Sequence, residues 1–397
     1  MIDKIKILSK SVEQEVINLR RRIHQYPELR FEEKETSRLI KEYLMNHQIK
    51  ISSNYNDSTA VIGGIGNGNS GPTIALRADM DGLPIFETTG LSFTSKVPGR
   101  MHACGHDAHI AILLGAANIL NHIKEEIKGR IIFVFQPAEE GAGGAESLLK
   151  KGLIEDYNII MFLGHHVWPG LPLGTYGIKP GALTSISDLI NIEIEGKSAH
   201  GSMPNEGKDP IVIASHLILN IQELISREIS PYEPAVISIC KIESGTTHNI
   251  IPDKAKILGT MRSFSKETHE YMIKRLNQIA KGTADTFEST IKITVRNLVN
   301  SVYNNPDLTF KITGAAREYW GHDKVKNLEN PIMVGEDFSC YAERVPSFFG
   351  LLGIGGLYGL HNSNFSLDES MIGMSVGWTA YLALKSIEFA SKNKNLN

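Results

Sequence analysis

Apolar positions along the chain follow two rhythms. The N-terminal stretch MIDKIKILSKSVEQEVINLRRRIHQYPEL spaces its apolar residues at helical intervals amid charges, without an uninterrupted apolar run. It predicts an amphipathic helix, and neither a secretory signal nor a membrane span. TAVIGGI, TIALRADM, RIIFVFQP and IIMFLGHH are instead short apolar runs rich in β-branched residues, alternating with helical patterns up to about residue 183. That order builds a mostly parallel sheet covered by helices. From about residue 186 the pattern becomes LINIEIEG, the helical DPIVIASHLILNIQELISRE, AVISICKIESG, AKILGTMRS, the helical ETHEYMIKRLNQIAKGTADTF and STIKITVRNL. This is β-α-β-β-α-β, the ferredoxin-like order. After about 299 the first rhythm returns with a helix near 306–320, the apolar run SFFGLLGIG and a long final helix. The expected architecture is an α/β domain made of residues 1–185 and 300–397, interrupted at 186–299 by a smaller α+β ferredoxin-like domain. Gly66 to Gly71 match the dinucleotide fingerprint G-x-G-x-x-G, but Pro72 and a strand follow where a helix is required, so the segment reads as a turn.

Composition narrows the class. A chain of 397 residues, 42% hydrophobic, exceeds what one core usually organises and can fill two. A net charge of −3 gives no one-signed basic face, so neither a nucleic-acid nor a membrane partner is expected. The Lys- and Asn-bearing C-terminus reads as a solvated tail. Three widely spaced cysteines, Cys104, Cys240 and Cys340, argue against a disulfide framework and for a reducing, cytoplasmic setting.

Candidate chemistry gathers in the first rhythm. Cys104 and His106 stand one residue apart where a loop meets an apolar helix, and Glu139-Glu140 follows another strand. Thiolate, imidazole and carboxylate are the side chains that hold zinc-like ions, and paired glutamates leave one carboxylate free to move protons. Cys-Gly-His alone reads equally as a buried cysteine beside a capping histidine. Asp79 and Asp81 follow TIALR, His165 and His166 follow IIMFLG, and His361 comes shortly after FFGLLGI. Singly, each is an ordinary surface carboxylate or loop histidine. Recurrence just beyond the carboxyl ends of four strands places them at the sheet edge where α/β proteins bind ligands.

At these residues the chain resembles the aminoacylase and carboxypeptidase family of dimetal metallopeptidases, in its amidohydrolase branch with hippurate and auxin-conjugate hydrolases. The resemblance spans nearly the whole length through LRRRIHQYPEL, ALRADMDGLPI, MHACGHDAH, FQPAEEGAGGA, GHHVWPG, GKSAHGSMP, GTTHNIIPD, GTMRS, GEDFS and the His361 neighbourhood. It implies Cys104, His106, Glu140, His166 and His361 as metal ligands, Glu139 as general base and Asp79 as a supporting carboxylate. It also implies that His200 is a lid residue reaching the substrate. Two departures stand out: His165 replaces an aliphatic residue, and Asn362 follows His361 where relatives commonly carry proline. Adjacent residues on an extended chain point oppositely, so only one of His165 and His166 faces the metals, and the following Val-Trp-Pro selects His166.

The implied reaction is hydrolysis of an N-acyl amino acid or short peptide-like amide with two divalent ions, which lower the pKa of a bound water to about 7. The Cys104 thiolate makes zinc the first expectation, while the carboxylates admit manganese, nickel or cobalt. His200 lies in a Gly- and Ser-bearing loop suited to bringing a hydrogen-bond donor with the substrate. Arg262 is a candidate for holding a substrate carboxylate and equally for a strand-exit salt bridge. Asn249 fits a turn former or a substrate contact. A carboxypeptidase or dipeptidase is the nearest alternative, and a zinc-stabilised binding protein is the non-enzymatic one. Relatives are often dimers through the inserted domain, so a homodimer through the lid is the implied assembly.

Overall fold

The computed structural model describes residues 1–55, 57–66, 71–141 and 143–392. The glycine-rich turn expected after Gly66 and the end of the C-terminal tail lie outside the described residues. The chain divides into two compact units, one of Met1–Leu183, Val302–Asn330 and Asp337–Asn397, the other of Thr184–Ser301 and Pro331–Glu336.

The first unit is built on an eight-stranded sheet ordered Lys50–Ile51, Val61–Gly66, Arg130–Gln136, Thr73–Asp79, Ile159–Trp168, Ser347–Gly353, Tyr176–Ile178 and Val325–Asn327. Its four central strands, from Arg130–Gln136 to Ser347–Gly353, run parallel, and antiparallel partners flank them. Every residue of Thr73–Asp79 is buried, as expected for a strand covered by helices on both faces and hence written as a continuous apolar run. Helices Ile2–Gln25, His106–His122 and Ile372–Lys392 pack on one another. His106–His122 is buried from His106 to Leu120 and apolar on all sides, so its N-terminus is fixed within the core.

In the second unit, strands Val236–Ser244, Lys254–Ser263, Ile186–Glu195 and Thr290–Val299 form an antiparallel sheet in that order. Helices Pro210–Glu223 and Lys266–Phe287 join Ile190, Ile192, Ile194, Leu217 and Leu276 in a separate core. The spatial order and the β-α-β-β-α-β sequence are those of the ferredoxin-like fold. Residues 331–336 return to this unit: Ser185 N–H donates to the Val334 carbonyl at 3.0 Å, and Thr184 bridges to Ile332. No helix among the described residues is long and apolar enough to cross a membrane.

Candidate metal centre

Asp79 closes its strand and Asp81 lies two residues beyond it, while Glu139 and Glu140 stand on the turn after Arg130–Gln136. His166 departs from the expected placement. It sits inside Ile159–Trp168, because pairing with Ser347–Gly353 continues through Leu351 opposite His166 to Gly353 opposite Trp168. The pleat then sends the two histidines apart. His165 turns into the core, its Nε2 2.8 Å from the Thr379 hydroxyl, and burial holds its pKa down to about 3. His166 turns the other way, its Nε2 3.3 Å from Cys104 Sγ.

Cys104 and His106 are brought together by Gly105, which precedes the helix with φ +85°. A Cβ there would meet Val167 Cγ2 at 2.4 Å, so both the backbone conformation and the space demand glycine. The ligand atoms of Cys104, His106 and His166 lie within 4.8 Å of one another, as do those of Cys104, Glu140 and His361 and those of His106, Glu139 and Glu140. Cys104, His106 and Glu140 each belong to two of these groups, so the three groups form one connected cluster. His361 comes from a loop whose backbone N–H donates to the Ala103 carbonyl at 2.9 Å, and its Nε2 lies 3.0 Å from Glu140 Oε1.

Hydrogen bonds behind the ring fix which histidine nitrogen faces the cluster. His106 Nδ1 lies 2.9 Å from the Asp81 carbonyl, and His166 Nδ1 lies 2.6 Å from the Val167 carbonyl. A carbonyl only accepts, so Nδ1 carries a proton in both rings and Nε2 is the nitrogen left to face a ligand. His106 Nε2 is buried with no hydrogen-bond partner among the described residues. His109 is different. The Val167 N–H donates to its Nε2 at 2.9 Å, and its Nδ1 is 2.6 Å from Asp79 Oδ1, so both nitrogens are engaged and it serves as a brace. The other oxygen of Asp79 accepts from Arg77 at 2.7 Å.

The electrostatics favour a cation at this place. Burial opposes charging His106, but Asp79, Asp81 and Glu140 outweigh it and raise its pKa to about 10. Burial, with Glu140, Glu139 and Asp79 nearby, pushes the Cys104 thiol well above its ordinary range. A thiol protonated in such surroundings gives up its proton when a metal ion supplies the missing positive charge. The donor set of thiolate, imidazoles and carboxylates fits divalent first-row ions.

Several supports have contacts that the sequence does not announce. Asp81 accepts from the backbone N–H of Glu139 at 3.1 Å and of Glu140 at 3.0 Å, fixing the glutamate turn. Asp337, within the GEDFS segment, accepts from Arg77, from Gln136 and from the Ala145 N–H. Only the spatial pairing of neighbouring strands reveals these contacts. In the second unit, His200 and Asn249 come together on a short ribbon, Ala199–His200 against Ile250–Ile251, with the Gly201 N–H donating to the Asn249 carbonyl at 2.9 Å. Arg262 is half-buried, donates to the Met261 carbonyl at 3.0 Å and to the Thr260 hydroxyl, and has no carboxylate ion pair among the described residues.

Comparison with known proteins agrees with this geometry. The model of peptidase family M20/M25/M40 matches residues 75–382. The chain is 39% identical over 373 residues to the N-acetylcysteine deacetylase of Bacillus subtilis, covering 94% of this chain and 97% of that protein. It is 35% identical over 400 residues to thermostable carboxypeptidase 1 of Saccharolobus solfataricus, covering 99% and 100% respectively. The crystal structure of a Bacillus subtilis dinuclear metal-binding peptidase of the M20 family superposes with a TM-score of 0.84 at 36% identity, covering 96% of this chain and 99% of that one. The chain thus belongs to peptidase family M20/M25/M40 and is a metal-dependent enzyme that hydrolyses amide bonds.

Proposed function

We propose that the enzyme releases free amino acids from N-acyl amino acids, with Cys104, His106, Glu140, His166 and His361 holding two divalent ions and Glu139 acting as general base. The observation that carries this reading is the convergence of the Cys104, His106 and Glu140 ligand groups with Glu139 on the same turn. Two such ions supply an acidified water and a polarised carbonyl. Glu139 takes the proton of the attacking water and delivers it to the leaving nitrogen, while Asp79, anchored by His109 and Arg77, supports the site. Arg262 holds the substrate carboxylate, a role favoured by its having no carboxylate ion pair among the described residues. Asn249 contacts the substrate beside His200, the donor to the developing oxyanion.

Zinc suits the thiolate, and manganese, nickel or cobalt suits the carboxylates. The family's deacetylase of Bacillus subtilis acts on N-acetylcysteine, which supports an N-acyl substrate here. A carboxypeptidase or dipeptidase is the second reading, favoured by the carboxypeptidase of Saccharolobus solfataricus. The two separate when the metal-reconstituted protein is assayed on N-acetyl, N-benzoyl and indole-acetyl amino acids against dipeptides. Acyl amino acids should lead in kcat/KM by about tenfold or more. A preference for dipeptides would install the peptidase reading. The free thiols, including buried Cys104, suit a cytoplasmic protein, and the second unit is the proposed dimer surface.

Cys104→Ser tests the thiolate as a ligand. Affinity for at least one ion should fall, most for zinc, while the fold persists. In the unsubstituted protein, bound metal should protect Cys104 from alkylation. Equal alkylation rates with and without metal remove it from the ligand set.

A further inference from the structure

The turn carrying Glu139 and Glu140 begins at Ala138, which adopts φ 55°. That left-handed conformation is sparsely populated by residues with a Cβ and persists only where the surroundings impose it. Phe31, far away in sequence, adopts φ 62°. Both residues direct their backbone N–H to one atom: Glu33 Oε1 accepts from Ala138 at 2.9 Å and from Phe31 at 3.0 Å. Its other oxygen accepts from the Thr59 hydroxyl at 2.7 Å. Glu33 is fully buried and has no ion pair among the described residues. A carboxylate placed so, without a cation, is costly unless its oxygens are filled by donors, and here two of the three donors are strained backbone positions.

The neighbours of Glu33 grip the same region. Arg30 donates to the Glu140 carbonyl at 3.0 Å. The Gly82 N–H donates to the Glu28 carbonyl at 2.7 Å, and Leu29 bridges to Gly82. Gly82 follows Asp81, whose carboxylate holds the Glu139 and Glu140 N–H groups from the other side. We propose that residues 28–33 form a strap that sets the Glu139–Glu140 turn, with Glu33 as its positioning residue. This rests on the reading of Glu139 as base and Glu140 as ligand. Adjacent carboxylates assigned different tasks must each be held to a fraction of an ångström, and a turn among so many anionic groups needs an external clamp.

The test uses the metal-reconstituted full chain and an N-acyl amino acid substrate. Glu33→Ala should lower kcat by about tenfold to 10²-fold and weaken one metal ion, with KM changed no more than about threefold. Glu33→Gln should recover most of the loss, because its amide oxygen still accepts the two N–H groups and its amide nitrogen can donate to Thr59. Adding Ala138→Gly to Glu33→Ala should also recover part of kcat, because glycine holds a left-handed φ unaided. A stabilising role unconnected with the turn would gain nothing from that glycine. Wild-type kcat in Glu33→Ala overturns the proposal, as does a loss that neither Gln nor Gly repairs. Should Glu33→Ala fail to fold, Arg30→Ala on the exposed end of the strap should lose kcat severalfold at constant KM, and wild-type kcat there overturns it. Glu139→Gln run in parallel separates the two levels. Full turnover in that variant defeats the base assignment, whereas an inactive Glu139→Gln beside a fully active Glu33→Ala defeats the strap alone.

Discussion

Glu139→Gln should retain its full complement of metal and lose turnover by roughly 10²-fold or more, the usual contribution of a positioned general base. The substitution keeps size and leaves the backbone N–H groups of residues 139 and 140 on the Asp81 carboxylate, so the turn has no reason to move. What disappears is a carboxylate able to take a proton and hand it on. Because Glu140 and Glu139 both belong to ligand-competent groups, metal content is the discriminating measurement. Loss of an ion from Glu139→Gln would exchange the two roles. Retained metal with retained activity would assign proton transfer elsewhere.

Separate tasks for the two glutamates were suggested by their pairing, and only the family resemblance implied which glutamate takes which task, whereas the convergence of the candidate ligands followed from the strand pattern. The runs TIALRADM, RIIFVFQP and IIMFLGHH are continuous because their strands are buried on both faces, and that same property marks where each strand delivers its terminal polar residues. The end of the third strand was misplaced because its apolar run stops before the ladder does. Pairing with Ser347–Gly353 carries it through Trp168, and no local signal encodes that partner. The alternation that separates His165 from His166 was readable, since it depends only on the pleat. Asp81 was marked only by its place at a strand end, and Glu33, His109 and Asp337 could not be assigned from sequence. Their work is to accept or donate single hydrogen bonds across elements distant in sequence, and nothing in their own neighbourhoods announces it.

His200→Ala should leave the ions bound and KM little altered, yet lower kcat by roughly 10²- to 10³-fold, the range observed when one oxyanion donor is removed. The ring is prepared for that role by its own loop. The Ser202 N–H donates to His200 Nδ1 at 3.2 Å, and the Ser202 hydroxyl lies 2.7 Å from the same atom. A backbone N–H can only donate, so Nδ1 is the acceptor and the proton resides on Nε2, leaving a donor exposed at the tip of the Ala199–His200 ribbon. Ser202→Ala offers a milder probe of the same geometry, since it removes the hydroxyl contact but keeps the backbone one. It should cost only a small fraction of the His200→Ala effect. If the enzyme dimerises and the donor comes from a second copy, mixing Glu139→Gln with His200→Ala should restore part of the activity, because a hybrid dimer contains one intact pair of groups. A drop in kcat with unchanged KM places the interaction in the transition state and not in substrate binding. Near-wild-type turnover of His200→Ala on a good substrate would return His200 to the status of a surface histidine and make Asn249 the candidate donor.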